Sequence, residues 1–77
     1  VVPHDQLTAE TEALAARFAQ APPRAVAMIK RGLRLGANAT LHDTLEIEAA
    51  MQAAAMTGAE HAEGVQAFLE KRTPAFK

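Results

Sequence analysis

Near the end of the chain the aromatic Phe68 is followed by two cations, Lys71 and Arg72, within the stretch EGVQAFLEKRTPAF that spans residues 63 to 76. An aromatic ring offers area to an apolar group, and an ammonium on a flexible stem meets an anion as a point charge. Together they describe a pocket wall with a cationic tip for an anionic ligand. The same residues also describe an ordinary last helix, with Phe68 filling a core, Lys71 and Arg72 answering the helix dipole and Pro74 stopping the helix. Gly64 bears on both accounts. Inside a helix it costs about 1 kcal/mol relative to alanine, which points to a close helix contact or to a neighbouring chain.

No other group of residues builds a reaction centre. His42 and Glu46 lie four apart, and His61 is close to Glu60 and Glu63, yet neither set supplies three convergent metal ligands. Glu46 and Glu48, two apart, point to different faces of a helix and do not share an acid/base site. The chain has no cysteine, no Ser/His/Asp order and no Gly-rich phosphate loop. The expectation is therefore no catalytic residue and no metal within these residues, and on the residues alone both accounts of Phe68, Lys71 and Arg72 stay open.

Helical spacing recurs four times in front of and around these three residues. Leu7, Leu14, Ala15, Phe18 and Ala19 share one face of a first helix, with Asp5 as its expected N-cap. Pro22-Pro23 ends it and suits the first turn of a second, whose stripe is Val26, Ile29 and Leu33 and whose expected C′ residue is Gly36. TLHD at 40 to 43 has the form of a capping box and opens a third helix, the longest, with Leu41 and Leu45 on its apolar face. TGAE at 57 to 60 is a second such match. It opens a fourth helix with Ala62, Val65, Phe68 and Leu69 on the expected buried face. The fold class is all-α with about four helices, and residues 1–77 form one helical unit without an internal linker.

Composition limits what such a unit does alone. A chain of 77 residues buries only about 60% of its unfolded surface. Half of its apolar residues are alanine, which favours helix but brings little area to bury. A thin core calls for a partner. The absence of cysteine excludes a disulfide scaffold and fits a reducing, cytoplasmic setting. No apolar run approaches the roughly 20 residues of a membrane span, so no membrane partner is expected. Arg24, Lys30, Arg31 and Arg34 crowd the second helix, whereas residues 37 to 70 carry six acids and no Lys or Arg. A basic helix facing an acidic one accounts for this. With a net charge of −1 and neither Tyr nor Trp, the footprint of a nucleic-acid partner is missing.

The stretch EGVQAFLEKRTPAF resembles the closing signature of the enoyl-CoA hydratase/isomerase (crotonase) family, E-G-x-x-A-F-x-x-K-R-x-P-x-F. Further matches run through the chain in order: VVPHDQL resembles the family's strand-to-helix entry, LAARFAQAPPRAVAMIKRGL its A-x-x-x-A-x-x-P-P-x-A…K segment, and TLHDTLEIEAAMQ its long helix with a glutamate, here Glu48. The resemblance covers the helical C-terminal region of the family. It implies a larger parent enzyme whose N-terminal ββα spiral supplies the acid/base carboxylates and the oxyanion-hole N–H groups that hold a thioester oxygen as an enolate develops.

By that resemblance, residues 1–77 are an oligomerising region that packs subunits into trimers, often paired into hexamers, and covers part of an active site. Phe68 matches the phenylalanine that lines the acyl pocket and Lys71 the lysine that reaches a phosphate of CoA, both commonly offered to a neighbouring subunit. Arg72, Pro74 and Phe76 match as a helix end and an anchored tail, and Glu48 and Glu63 as residues that hold helices together. The implied partner is acyl-CoA, as substrate; no separate cofactor is implied. The implied reaction is hydration of a 2-enoyl-CoA or isomerisation through a CoA-thioester enolate, within fatty acid metabolism, and the segment alone is expected to be inactive. TLHDTLEIEAAMQ and EGVQAFLEKRTPAF also look like the phenylacetate-pathway epoxide/enoyl-CoA isomerase branch. Gln52 stands where some hydratases place an aromatic against the acyl chain. From the residues alone, the alternative of another class is a stand-alone helical interaction module.

Overall fold

A computed structural model describes residues 1–76. Among these the chain is helical throughout, with no strand: a single 3-10 turn at His4–Gln6, then α1 (Leu7–Ala19), α2 (Pro23–Gly36), α3 (Leu41–Met56) and α4 (Ala59–Glu70). α3 is the longest, as its pattern predicts.

Local chemistry sets most of the boundaries. Pro22 is the extended N-cap residue of α2 and Pro23 its first helical residue, where a missing N–H costs no hydrogen bond. Thr40 caps α3, its Oγ1 accepting from the Asp43 N–H at 3.1 Å, which is one half of a capping box. Three caps differ from expectation. Asp5 makes no cap, because the chain first winds the 3-10 turn, closed by the Gln6 N–H donating to the Pro3 carbonyl at 2.9 Å. Gly36 is the last residue of α2 with an ordinary negative φ, and Ala37 follows it in right-handed geometry. Thr57 closes α3 by donating to the Ala54 carbonyl at 2.9 Å, so the N-cap of α4 is Gly58, without a side-chain bond.

The glycines of α2 serve packing instead. A Cβ on Gly32 would lie 3.6 Å from Met51 Sδ, and one on Gly36 would lie 3.4 Å from Thr44 Cγ2. One turn apart on α2, they let α3 run antiparallel along it at close range. α4 packs on α3, while α1 packs chiefly on the 3-10 turn before it. The basic α2 does lie beside the acidic α3. Small and apolar side chains make that contact, however, and no ion pair joins the two helices among the described residues.

The result is a layer, not a closed bundle. Its extents are 43 × 38 × 17 Å, so its thickness is well under two helix diameters. The radius of gyration is 15.9 Å, against about 11 to 12 Å for a compact domain of this length. The chain exposes 6493 Å², whereas a compact monomer of its mass exposes about 4,500 Å². Ala67 is the one fully buried apolar residue among those described. The apolar stripes of α1 and α2 are in place but open to solvent, Leu14, Phe18, Ile29 and Leu33 included. No helix is long and apolar enough to cross a membrane.

Candidate functional site

The free end of α4 carries the candidate pair, and the way this helix stops decides how the pair is presented. The Lys71 N–H donates to the Phe68 carbonyl at 3.2 Å and the Arg72 N–H to the Ala67 carbonyl at 3.0 Å, the paired bonds of a Schellman motif. This motif needs a left-handed residue at its turning point. Lys71 is that residue, with φ 55° and ψ 39°, and it is the sole non-glycine with positive φ among the described residues. Glycine or asparagine normally takes the position, since a side chain there costs on the order of 1 kcal/mol.

A polar clamp holds the chain on the far side of Lys71. Arg72 donates through Nη1 and Nη2 to the two carboxylate oxygens of Glu63 at 2.6 and 3.0 Å, and through Nε to Glu70 at 2.5 Å. Glu63 also accepts from the Ala75 N–H at 2.9 Å, and Gln66 donates to the other oxygen of Glu70. The Arg72 guanidinium, and after it the Ala75 N–H, hold the Glu63 carboxyl at about 2, against an ordinary 4.5. Gln66 and then Arg72 lower that of Glu70, and Glu63 and Glu70 raise Arg72. Arg72 is thereby committed inside the chain. The Lys71 ammonium has no partner among the described residues.

Phe68 is 81% exposed, and Val65, Leu69 and Ala62 are exposed with it. The expected buried face of α4 is therefore corrected. Among the described residues only Ala67 packs fully, because α4 lies on the edge of a layer with nothing over its other faces. Phe68 does not fill a core here; it stands as an open aromatic one turn before Lys71. Nor does Gly64 mark a contact within the chain, since a Cβ there would meet nothing within 4 Å.

Other sequence candidates separate into structural and unattached groups. Glu63 ties α4 to the tail that follows it, where the expectation was a tie between helices. Glu48 is exposed and joins no helices, in contrast to the expectation; it lines a groove of about 840 Å³ between α2 and α3, with Met28, Ile29, Leu45 and Gln52. Phe76 is half-buried at a second cleft, where the first turns of α2 and α4 meet the last of α3. There Glu60 does what its sequence context hides. Its carboxylate accepts from the Arg24 N–H at 2.8 Å and the Ala25 N–H at 3.0 Å, capping α2 from across the fold. The available signal was the Pro22-Pro23 start, which leaves α2 without a capping side chain of its own. No group of three metal-ligating side chains forms among the described residues.

Comparison with known proteins bears on all 77 residues. The family model described as enoyl-CoA hydratase/isomerase matches residues 1–77. A probable enoyl-CoA hydratase of Rhodobacter capsulatus is 42% identical over 64 residues, 83% of this chain and 25% of the relative. One from Bacillus subtilis is 37% identical over 68 residues, 88% of this chain and 26% of that protein. The crystal structure of an enoyl-CoA hydratase subunit I from Geobacillus kaustophilus superposes with a TM-score of 0.85 at 33% identity, covering 95% of this chain and 28% of that one. The chain thus spans about a quarter of the length of the relatives it matches.

Proposed function

The chain belongs to the enoyl-CoA hydratase/isomerase family, and we propose that it is the helical C-terminal segment of a cytoplasmic enzyme of that family, where it packs subunits together and offers Phe68 and Lys71 to acyl-CoA. The parent reaction is hydration of a 2-enoyl-CoA, or isomerisation through the related thioester enolate, with acyl-CoA as substrate and no separate cofactor. Relatives that bear the hydratase name support the reaction class.

One observation carries the binding role. Lys71 occupies a left-handed helix end that favours glycine, and its ammonium has no partner among the described residues while the adjacent Arg72 is held by Glu63 and Glu70. A costly residue at a turn is kept for its side chain, and an ammonium one turn beyond an exposed aromatic suits a ligand with a phosphate at one end and an acyl group at the other. The layer shape supports the packing role. A surface well above that of a compact monomer, rich in exposed Leu, Ile and Phe, suits burial against other parts of an assembly.

The test is made on the full-length enzyme. Lys71→Ala is expected to weaken binding of acyl-CoA by about 1 to 3 kcal/mol and to leave binding of the matching acyl-pantetheine, which lacks the nucleotide phosphates, nearly unchanged. An equal effect on both substrates rejects the phosphate contact. The 77 residues alone, which hold no acid/base pair, are expected not to hydrate crotonyl-CoA above the buffer rate.

A further inference from the structure

Glu63 and Arg72 are nine residues apart. In a continued α-helix they would be separated by about 13.5 Å along the axis and would lie on opposite faces. Their bidentate pair at 2.6 and 3.0 Å therefore exists only because the chain reverses at Lys71. The Ala75 N–H, at 2.9 Å from the same carboxylate, adds the demand that residues 72 to 75 fold back along α4. Glu70 is different. It is two residues from Arg72 and is held by Gln66 on α4 itself, so although the pair would face apart in a continued helix, it spans only the turn and holds nothing beyond Arg72. Of the two acids that hold Arg72, only Glu63 also accepts the Ala75 N–H and so ties the folded-back residues 72 to 75 to the body of α4.

We propose that Glu63 is a positioning residue for the ligand contact of Lys71: by gripping Arg72 and the Ala75 N–H beyond it, Glu63 keeps Lys71 in the left-handed conformation that fixes its ammonium at the free end of α4, one turn from Phe68. A flexible side chain on a loosened helix end samples many positions and contacts an anion in few of them. Fixing its backbone removes that loss before the ligand arrives. This inference rests on the acyl-CoA reading of Lys71 and goes beyond it, because Glu63, itself an anion, would contribute to binding an anionic ligand without touching it.

The experiment compares acyl-CoA with acyl-pantetheine on full-length enzymes carrying Glu63→Gln, Lys71→Ala, both changes, or Glu70→Gln. Lys71→Ala is expected to reduce the preference for acyl-CoA by about tenfold or more. Glu63→Gln is expected to reduce it severalfold although it removes a negative charge, and to cause no further loss once Lys71 is alanine. Glu70→Gln, which leaves both the Glu63 pair and the Ala75 bond in place, is expected to reduce it less than Glu63→Gln does. A Glu63→Gln enzyme with its preference intact, beside a Lys71→Ala enzyme that has lost it, overturns the positioning role and leaves the Lys71 contact standing. A Lys71→Ala enzyme with unchanged preference overturns both. If Glu63→Gln does not fold, Glu63→Asp, which keeps the charge and shortens the reach, is read by the same ratio.

Discussion

Glu60, in the first turn of α4, caps the first turn of α2 by accepting the Arg24 N–H at 2.8 Å and the Ala25 N–H at 3.0 Å. Because Pro22 offers no side-chain oxygen, one carboxylate satisfies two orphan donors and ties two helices that otherwise share little contact. Arg24 closes the arrangement from the other side. A Cβ on Gly58 would come within 2.8 Å of its Nη1, so the bare backbone at the start of α4 makes room for the guanidinium.

Glu60→Ala is expected to destabilise the chain by about 1 to 2 kcal/mol, the cost of a lost helix cap. Glu60→Gln, which keeps one acceptor oxygen, should cost less. Chemical denaturation is the measurement, and a Glu60→Ala midpoint equal to the parent's sinks the capping role.

What the sequence makes legible follows the range of the interactions. The Pro22-Pro23 boundary and the Thr40 cap depend on residues within one turn, and each lies where the pattern puts it, whereas α4 stops at Glu70 through the left-handed Lys71, before Pro74 is reached. Gly36 and Glu60 carry local signals that point elsewhere, because their partners, Thr44 and the α2 backbone, are brought near only by tertiary structure. Phe68 and Lys71 are legible as a pair at a helix end. Their exposure is not, because an apolar stripe shows that a face is to be covered and not what covers it. Nor is the left-handed turn at Lys71, since its usual sequence mark is glycine or asparagine.

Acid should release the tail before it melts the helices. The folded Glu63 carboxyl is held at about 2 against an ordinary 4.5, so its clamp is fully present above pH 4.5 and is lost as pH falls toward 2. Amide exchange at Ala75, whose N–H Glu63 accepts, is expected to lose protection over that window, judged against the intrinsic rate, in the parent and not in Glu63→Gln. Unchanged protection of Ala75 down to pH 2 rules the clamp out.

Lys71→Gly should stabilise the chain even as it removes the proposed ligand contact. Glycine relieves the left-handed strain and gives back part of the gain through a freer unfolded chain, leaving up to about 1 kcal/mol. Lys71→Ala keeps the strain and should give no such gain. Equal midpoints for the two variants argue against a strained Lys71.

Self-association is expected of the isolated chain, because its open apolar faces, with Ala67 alone fully buried among the described residues, leave much of its stability to a partner. Its melting temperature should rise with protein concentration. A monomer by sedimentation, with a melting point indifferent to dilution, contradicts this.

Phe68 separates a pocket wall from a packing residue in the full-length enzyme. Its ring is 81% exposed in this chain, so its apolar area is available either to an acyl group or to another part of the assembly. If it meets the acyl group, Phe68→Ala removes contacts only where the substrate reaches it, and long or aromatic acyl-CoAs should lose about 1 to 3 kcal/mol of binding while a short one loses little. If it meets only protein, the same change lowers stability and treats every chain length alike. Competition between a short and a long acyl-CoA for one enzyme preparation reads the difference directly, since any shared loss of folded enzyme cancels in the ratio. A ratio that Phe68→Ala leaves unchanged assigns the ring to packing and leaves Lys71 as the sole ligand contact proposed for this helix end.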